Sequence, residues 1–266
     1  MHPAPALVID TYSRAADTFD DLPFWHHYGQ LTADLAALRP GDRVLDLCCG
    51  TGASALPAAR AVGPTGSVLG VDLTPALIEV ARAHAARAGL TQADFEVADV
   101  TTLTVIPGAF DAVVSVFGLF FVDDMPGMLR SAWHWLAPGG RLVTTVWGQV
   151  VLAPLEAYFW EAVAGQDRSL DHVSPAARLA SAEALQRVHA DAGLPAPRVT
   201  RQAWHLPVAT PEAFWPVMMG TSNRGVFEAL PPDAQAFVKN TVIVRLREAQ
   251  VEALEMEALV AIVVKS

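Results

Sequence analysis

A glycine turn between a short apolar run and a segment of helical character constrains the fold more than any other feature of this chain. Its residues are Val44-Leu45-Asp46-Leu47-Cys48-Cys49-Gly50-Thr51-Gly52-Ala53-Ser54-Ala55. Gly50 and Gly52 lack side chains that would hold a ligand away from the backbone, and a helix N-terminus behind them offers unpaired N–H groups to an anionic group. The segment therefore predicts a strand, a ligand-binding turn and a helix, in that order.

The first half of the chain alternates between short apolar runs and helical segments. The predicted strands are 43–47, 67–71, 94–97, 111–116 and 141–147, and the predicted helices between them are 53–61, 75–88 and 125–136. This spacing is typical of βαβ units. We therefore expect an α/β fold with a mostly parallel sheet and helices on both faces.

Three aspartates lie at the carboxyl ends of three successive predicted strands. Asp46 lies four residues before Gly50, where it would repel a pyrophosphate and attract a cationic ammonium group. Asp72 follows the turn by about 20 residues, where a carboxylate can accept hydrogen bonds from both hydroxyls of a ribose. Asp99 is placed to meet an exocyclic amine, while Val100 offers a backbone N–H to the same ring. Together they favour a positively charged ligand of adenosine type.

Five motifs occur in the order VLDLCCGTG, GVDLTPALIEVAR, the ADV at 98–100, FDAVVSVFGLFFVDD and LAPGGRLVTTVWG. In order and spacing they resemble the motifs of class I S-adenosylmethionine-dependent methyltransferases, specifically the small-molecule group similar to ubiquinone and menaquinone biosynthesis methyltransferases. The resemblance covers approximately residues 10–150. It implies S-adenosylmethionine as cofactor and a Rossmann-like sheet of seven strands, mostly parallel, with the last strand antiparallel.

The resemblance also implies which residues bind the cofactor. They are Asp46, Gly50, Gly52, Asp72, Leu73, Asp99, Val100 and Phe117. The two glycines would pack beside the methionine and ribose portions. Asp46 would lie near the amino group, and Asp72 would bind the ribose hydroxyls. Leu73 would pack on adenine, the third aspartate and Val100 would contact the adenine edge, and Phe117 would lie beside the methionine moiety.

The expected organisation is a single methyltransferase domain over residues 1–266. Its parts are a helical N-terminal cap (1–38), a cofactor-binding core (39–147), substrate-side insertions (148–231), and a C-terminal helix with the final strand (232–266). In the second half we predict strands over 198–206 and 258–264, joined by a long helix over 233–256. These late strands resemble the reversed final hairpin of the family.

Charge and composition narrow the classes of partner. The chain has 18 basic and 28 acidic residues, a formal charge of −10, and its basic residues form no cluster of the kind that nucleic acid requires. Its apolar runs are too short to span a bilayer, and Cys48 and Cys49 are sequence neighbours that suit neither a structural disulfide nor a metal site. Since the first residues lack the features of an export signal, we expect a cytoplasmic protein, with a homodimer as a possible assembly.

Methyl transfer from a sulfonium is an in-line displacement with an activated leaving group, so the protein mainly aligns the acceptor and excludes water. A histidine base is needed only where the acceptor must lose a proton. The candidates are His26 and His27 in the cap and His205 in the second half, and each is alternatively a packing or surface residue. Aromatic and methionine side chains of the insertions either form core or cover a flat acceptor. We expect a small, apolar or aromatic methyl acceptor.

Two other functions are compatible with the sequence. The pattern Gly50-x-Gly52-x-x-Ala55 also fits the dinucleotide fingerprint of a nicotinamide-dependent oxidoreductase, although Asp46 would then lie near the pyrophosphate and Asp99 would have no role. The other alternative is a scaffold that binds the cofactor without turnover. Neither the cap nor the insertions contain a motif whose spacing decides the acceptor, or whether oxygen, carbon or nitrogen is methylated.

Overall fold

A computed structural model of the chain describes residues 5–167, 175–221 and 223–266. Small parts of the predicted cap (1–4) and of the predicted insertions (168–174 and 222) lie outside the described residues. The strands are β1 (Arg43–Leu47), β2 (Ser67–Asp72), β3 (Ala93–Val97), β4 (Phe110–Val116), β5 (Leu136–Trp147), β6 (Arg198–Pro207) and β7 (Ala253–Val264). The α-helices are α1 (Pro5–Ala15), α2 (Pro23–Leu35), α3 (Ala55–Val62), α4 (Pro75–Arg87), α5 (Met125–Trp135), α6 (Leu155–Gln166), α7 (Ala182–Asp191), α8 (Phe214–Met219), α9 (Asn223–Ala229) and α10 (Pro232–Glu248).

The strands form one seven-stranded sheet in the order β3-β2-β1-β4-β5-β7-β6. Strand β1 is central and pairs in parallel with both β2 and β4, while β3 and β5 continue the parallel set on either side. Strand β7 pairs antiparallel with β5. The predicted mostly parallel α/β sheet with a reversed final strand is confirmed. Because the parallel strands end at one edge, their carboxyl ends meet there.

Parallel strands with helices against them bury both faces, which explains the continuous apolar runs of the sequence. One cluster of the core combines strand residues with residues of α3 and α4, namely Val44, Val68, Ala112, Val114, Val143, Ala58, Ala59, Ile78 and Ala81. The alanines allow the helices to approach the sheet closely. This packing holds the carboxyl edge of β1, β2 and β4 in a fixed position.

The end of the chain differs from the prediction of a helix over 233–256. Helix α10 ends at Glu248, and Gln250 adopts a left-handed conformation with φ of 49°, which stops the helix. Strand β7 then begins at Ala253, five residues before the predicted start. Leu254 and Met256 are buried on either side of the exposed Glu255, so this segment follows the two-residue period of a strand.

Strand β5 also begins earlier than predicted, at Leu136 instead of residue 141. Phe110 pairs with Leu136 and Ala112 pairs with Arg141, so the register shifts between the two pairs. The extra residues form an irregular stretch that contains Gly139, whose φ is 79°. The preceding helix α5 is capped by Asp124, whose carboxylate accepts a hydrogen bond from the Gly127 N–H at 2.8 Å.

The described residues cluster into two compact units. One contains the residues up to 147 together with 175–202 and 258–266, and the other contains the described residues of 148–174 and 203–257. The first unit holds the cap and β1 to β5. In the second, α6 packs against α10, where Arg245 pairs with Glu161 and lies 4.0 Å from the ring centroid of Tyr158. The organisation as a single domain stays a prediction.

Three observations bear on membranes, metals and thiols. Within the described ranges, no helix combines the length and apolar character that a bilayer crossing needs. In the same ranges, no three histidine, cysteine or acidic side chains come together as a set of metal ligands. Both cysteines are free thiols.

Candidate functional site

The glycine turn follows β1 directly and has three left-handed residues. The φ angles are 60° at Cys48, 55° at Gly50 and 91° at Gly52, a conformation that glycine adopts without strain and cysteine rarely adopts. An added Cβ at Gly50 would contact only the ring of Phe19, at 3.7 Å. A Cβ added at Gly118 would lie 2.4 Å from the Cys48 Cβ. The glycine at position 118 therefore leaves the room that the Cys48 side chain occupies. The turn therefore presents backbone at the carboxyl edge of the sheet.

Asp46 lies in β1 and is fully buried. Its Oδ2 accepts a hydrogen bond from the Ser54 hydroxyl at 2.6 Å, whereas its Oδ1 is buried and has no hydrogen-bond partner among the described residues. Burial raises the pKa of Asp46 to about 7, and the nearby Asp72 contributes in the same direction. A buried carboxylate oxygen of this kind is energetically unfavourable unless it is paired, and a cationic group would stabilise it.

Asp72 ends β2 and connects the glycine turn to the start of α4. Its Oδ2 accepts from the Gly50 N–H at 3.0 Å, and its Oδ1 accepts from the Thr74 N–H at 2.9 Å. Burial raises the pKa of Asp72 although these bonds oppose the effect. A carboxylate offers about four lone-pair sites, so hydroxyls of a ligand would join these two bonds and the weaker contacts from the Thr74 hydroxyl and the Leu73 N–H.

Asp99 follows β3 and closes a short turn. Its Oδ1 accepts from the N–H of Thr101 at 2.8 Å and from the Thr101 hydroxyl at 2.6 Å. This bonding is typical of an aspartate that stabilises a turn, and it uses only one carboxylate oxygen. Val100 next to it is buried, and Leu73, which follows β2, is half-buried.

The three aspartates all affect one thiol, that of Cys48. Burial raises the pKa of Cys48, and the charges of Asp72, Asp46 and Asp99 each raise it further. These aspartates belong to β1, β2 and the segment after β3, which are neighbours in the sheet. Asp72 contacts the glycine turn directly, and a shared cofactor site of the three acids stays a prediction.

Six aromatic rings, which we call the aromatic cluster, lie at the ends of β4 and β5 and on the cap. They are Phe19, Phe24, Trp25, Tyr28, Phe117 and Trp147. Phe117 follows β4 with φ of 55° and stacks on Trp147, which ends β5, at a centroid distance of 3.7 Å and an interplanar angle of 11°. Phe117 therefore lies at the carboxyl end of β4, as predicted, and its ring contacts residues of the cap and of β5.

The cap docks directly onto the glycine turn. Gly29 of α2 packs so closely that an added Cβ would lie 2.2 Å from the carbonyl oxygen of Ala53. From α1, Tyr12 is close enough to the site that burial, followed by the charges of Asp72 and Cys48, raises its pKa. The cap thus forms one wall of the site.

The three candidate histidines have different surroundings. His26 is half-exposed, with Nε2 at 3.7 Å from the Asp20 carboxylate. Burial lowers the pKa of His27, whose ring lies 4.9 Å from that of Tyr28. His205 is exposed on β6, in the part of that strand that belongs to the second unit. The role of each histidine as a base stays a prediction.

Several residues at this site have no counterpart in the sequence predictions. Thr51 of the turn donates a hydrogen bond to Asp20, and His84 of α4 has Nε2 at 3.6 Å from the other oxygen of Asp20 and Nδ1 at 3.3 Å from the Thr51 carbonyl. Tyr12 and Trp147 also lie here. No spacing in the sequence indicates these contacts, because they join segments far apart in the chain.

Residues 44–140 match the family described as a methyltransferase domain. The matched segment runs from β1 into β5 and includes the glycine turn and all three aspartates. The predicted resemblance to methyltransferases is therefore confirmed for the cofactor half of the chain.

Two curated relatives and one solved structure illustrate the similarity. The chain is 34% identical to aklanonic acid methyltransferase DauC of Streptomyces sp. strain C5, over 52% of this chain and 64% of that protein. It is 35% identical to a 2-phytyl-1,4-naphtoquinone methyltransferase of Synechococcus elongatus, over 52% of this chain and 62% of that protein. An Aquifex aeolicus SAM-dependent methyltransferase shares the fold, with a TM-score of 0.50 and 17% identity over 68% of this chain and 83% of that one. The chain thus spans less than two thirds of these two curated relatives.

Proposed function

Because residues 44–140 match a methyltransferase domain and both curated relatives are named methyltransferases, we propose that this protein transfers the methyl group of S-adenosylmethionine to a small metabolite. The acceptor atom is an oxygen, carbon or nitrogen of an apolar or aromatic compound. The observation that carries the proposal is that Asp46, Asp72 and Asp99 lie at or just after the carboxyl ends of three neighbouring strands, with Asp72 bonded to the Gly50 N–H of the glycine turn.

The residues of the site suit this cofactor. The buried Oδ1 of Asp46 has no partner among the described residues and fits the ammonium group of the methionine portion. Asp72 is held by two backbone N–H groups and keeps lone pairs for the ribose hydroxyls. Gly50 and Gly52 let the methionine and ribose portions approach the backbone. Asp99 and Val100 would hold the adenine edge, with Leu73 against the ring.

The cofactor supplies a methyl group on a positively charged sulfur that is already a good leaving group. The protein therefore has to align the acceptor and keep water out. Holding two reactants in the right geometry can raise a reaction rate by several orders of magnitude. The aromatic cluster is suited to both tasks, since its rings are apolar and attract a cation through their faces. Phe117, at the end of β4, is the ring that we place beside the methionine portion.

The proposal extends to partners and location. The formal charge of −10 and the dispersed basic residues support a small-molecule acceptor and action without nucleic acid. A cytoplasmic location and a homodimeric assembly complete the proposal. Gel filtration with light scattering tests the assembly, and a monomeric mass at working concentration would contradict that part alone.

Calorimetric titration with S-adenosylhomocysteine and, separately, with NAD tests the proposed cofactor. We expect micromolar or tighter binding of S-adenosylhomocysteine and no heat with NAD, because a pyrophosphate would meet the carboxylates of the site. Binding of NAD alone would favour the oxidoreductase interpretation. Incubation with S-adenosylmethionine and a panel of quinones, phenols and polyketide-like compounds, with mass-spectrometric detection of one added methylene unit, then tests turnover. Cofactor binding without product from any acceptor would favour a scaffold.

A further inference from the structure

Trp25 of α2 lies at the centre of the aromatic cluster. Its indole stacks on Phe19 with centroids 4.9 Å apart and an interplanar angle of 3°, and it meets Phe24 edge-on at 4.6 Å. It also contacts Phe117 at 5.7 Å and Trp147 at 6.0 Å. Trp25 therefore belongs to the cap residues whose rings contact Phe117 or Trp147, together with Phe24 and Tyr28.

The indole nitrogen of Trp25 is buried and has no hydrogen-bond partner among the described residues. The four rings around it are those of phenylalanine and tryptophan, which carry no acceptor oxygen. A buried tryptophan N–H usually has a partner, and leaving it unpaired is unfavourable. Weak contact of the N–H with a ring face would compensate only in part. The Trp25 N–H is thus a directional donor whose nearest rings are apolar.

The indole N–H of Trp25 lies near the part of the sheet where we propose that the methyl donor binds. Phe117 and Trp147 follow β4 and end β5, and β4 is the neighbour of β1, whose end carries the glycine turn. Ligands of open α/β sheets bind outside the carboxyl ends of the strands. An acceptor placed against these two rings would therefore lie beside the site that we assign to the methyl donor.

We propose, on the basis of the function proposed above, that Trp25 determines acceptor specificity by donating its indole N–H to an oxygen at the edge of a planar apolar ring system. The ring system packs against Phe117 and Trp147, and the oxygen is a carbonyl or another hydrogen-bond acceptor. A flat hydrocarbon without that oxygen leaves the N–H unpaired. Sites built around such a buried donor discriminate strongly against ligands that lack its partner.

A double-mutant cycle between protein and ligand tests this assignment. Trp25→Phe removes the N–H and keeps an aromatic ring, while 2,3-dimethyl-1,4-naphthoquinone and 2,3-dimethylnaphthalene differ only in the two carbonyls. Binding of each probe is measured by equilibrium dialysis with saturating S-adenosylhomocysteine, whose own affinity is measured in the same samples. Trp133→Phe on α5, outside the aromatic cluster, makes the same chemical change as a control.

We expect Trp25→Phe to weaken quinone binding about tenfold and to leave hydrocarbon binding unchanged, while Trp133→Phe affects neither. Equal losses for both probes would show that Trp25 only packs, and no loss for either would also overturn the assignment. Failure of the wild-type protein to bind the quinone, with S-adenosylhomocysteine bound normally, would contradict this inference alone. Failure to bind S-adenosylhomocysteine would contradict the proposed function and this inference with it.

Discussion

The hydroxyl of Thr51 donates a hydrogen bond of 2.6 Å to the carboxylate of Asp20, and this bond joins the cap to the glycine turn across 31 positions of the chain. The same carboxylate lies 3.6 Å from His84 Nε2 and 3.7 Å from His26 Nε2. Next to it, the Phe19 ring lies beside Gly50. The cap is thus held on the backbone that we propose binds the cofactor.

Removing the Asp20 carboxylate should loosen the cap over bound ligand. We expect Asp20→Ala to raise the dissociation rate of S-adenosylhomocysteine about tenfold, because a charge-assisted hydrogen bond and two nearby histidine contacts are lost. Stopped-flow displacement measures the rate. Asp21→Ala is the control, since that neighbouring carboxylate is exposed. Equal rates for the Asp20 and Asp21 variants would mean that the cap does not retain the ligand.

The contact between Gly29 and Ala53 predicts a stability effect that does not depend on ligand. Gly29→Ala should lower the free energy of unfolding by about 2 kcal/mol or more, because the new Cβ would lie 2.2 Å from a carbonyl oxygen. Gly165→Ala in α6 is the matched control, since an added Cβ there meets nothing within 4 Å and alanine favours a helix. Urea denaturation compares the two. Similar stability of both variants would show that α2 does not approach the turn this closely.

The raised pKa of Asp46 predicts how ligand affinity depends on pH. Without ligand, the folded state holds a proton on Asp46 up to about pH 7, far above the ordinary value of 3.8. Between these values the folded state binds more protons than the unfolded state. The free energy of unfolding therefore falls as pH rises towards 7, and above pH 7 this residue lowers it no further. An ammonium ligand requires the ionised form, so binding releases the proton.

Affinity for S-adenosylhomocysteine should therefore rise about 25-fold from about pH 5.5 to about pH 7.5, as Asp46 loses its proton. In Asp46→Asn the rise should be much smaller, and overall affinity should be lower. The variant should also lose less unfolding free energy between pH 4 and 7 than the wild type, since residue 46 no longer titrates while Asp72, whose pKa is also raised by burial, still does. Calorimetry and thermal unfolding across the range measure both effects. An unchanged pH profile in Asp46→Asn would place the ammonium group elsewhere.

Asp72 should contribute strongly to cofactor affinity. Asp72→Ala should weaken binding of S-adenosylhomocysteine by about 1 to 3 kcal/mol, through lost hydrogen bonds to the ribose. Because Asp72 also holds the N–H groups of Gly50 and Thr74, circular dichroism and urea denaturation should accompany the titration. Asp72→Asn keeps one acceptor oxygen and should lose less. Asp94→Ala, at an exposed position of β3, is the control; an equal effect of the Asp72 and Asp94 variants would contradict the assignment.

The parallel part of the fold was predictable because buried parallel strands have continuous apolar runs bounded by glycine, proline and aspartate. The predicted β1 coincides with Arg43–Leu47, and the helix after the glycine turn lies at Ala55–Val62. The end of α10 was missed because the sequence at 249–257 has charges at a spacing compatible with a helix. Only packing shows that Leu254 and Met256 share a buried strand face.

The candidate site was predictable where its residues follow strands in sequence, as the three aspartates do. Asp20, His84 and Trp25 were not assigned roles, because their partners lie far away in the chain and no local period reveals them. For example, the ring contact between Trp25 and Trp147 depends on how α2 docks beside β5. Docking of this kind is set by tertiary packing, such as the glycine contact between α2 and the turn.

A crystal structure with S-adenosylhomocysteine tests the central claim most directly, and the quantity to measure is the distance from the Asp72 carboxylate to the ribose oxygens. Our account predicts hydrogen bonds of about 2.5–3.0 Å to both hydroxyls, with the ammonium group beside Asp46 and the sulfur near the glycine turn. A ribose bound away from Asp72, or a ligand in a cavity that Asp46 and Asp99 do not share, would contradict it.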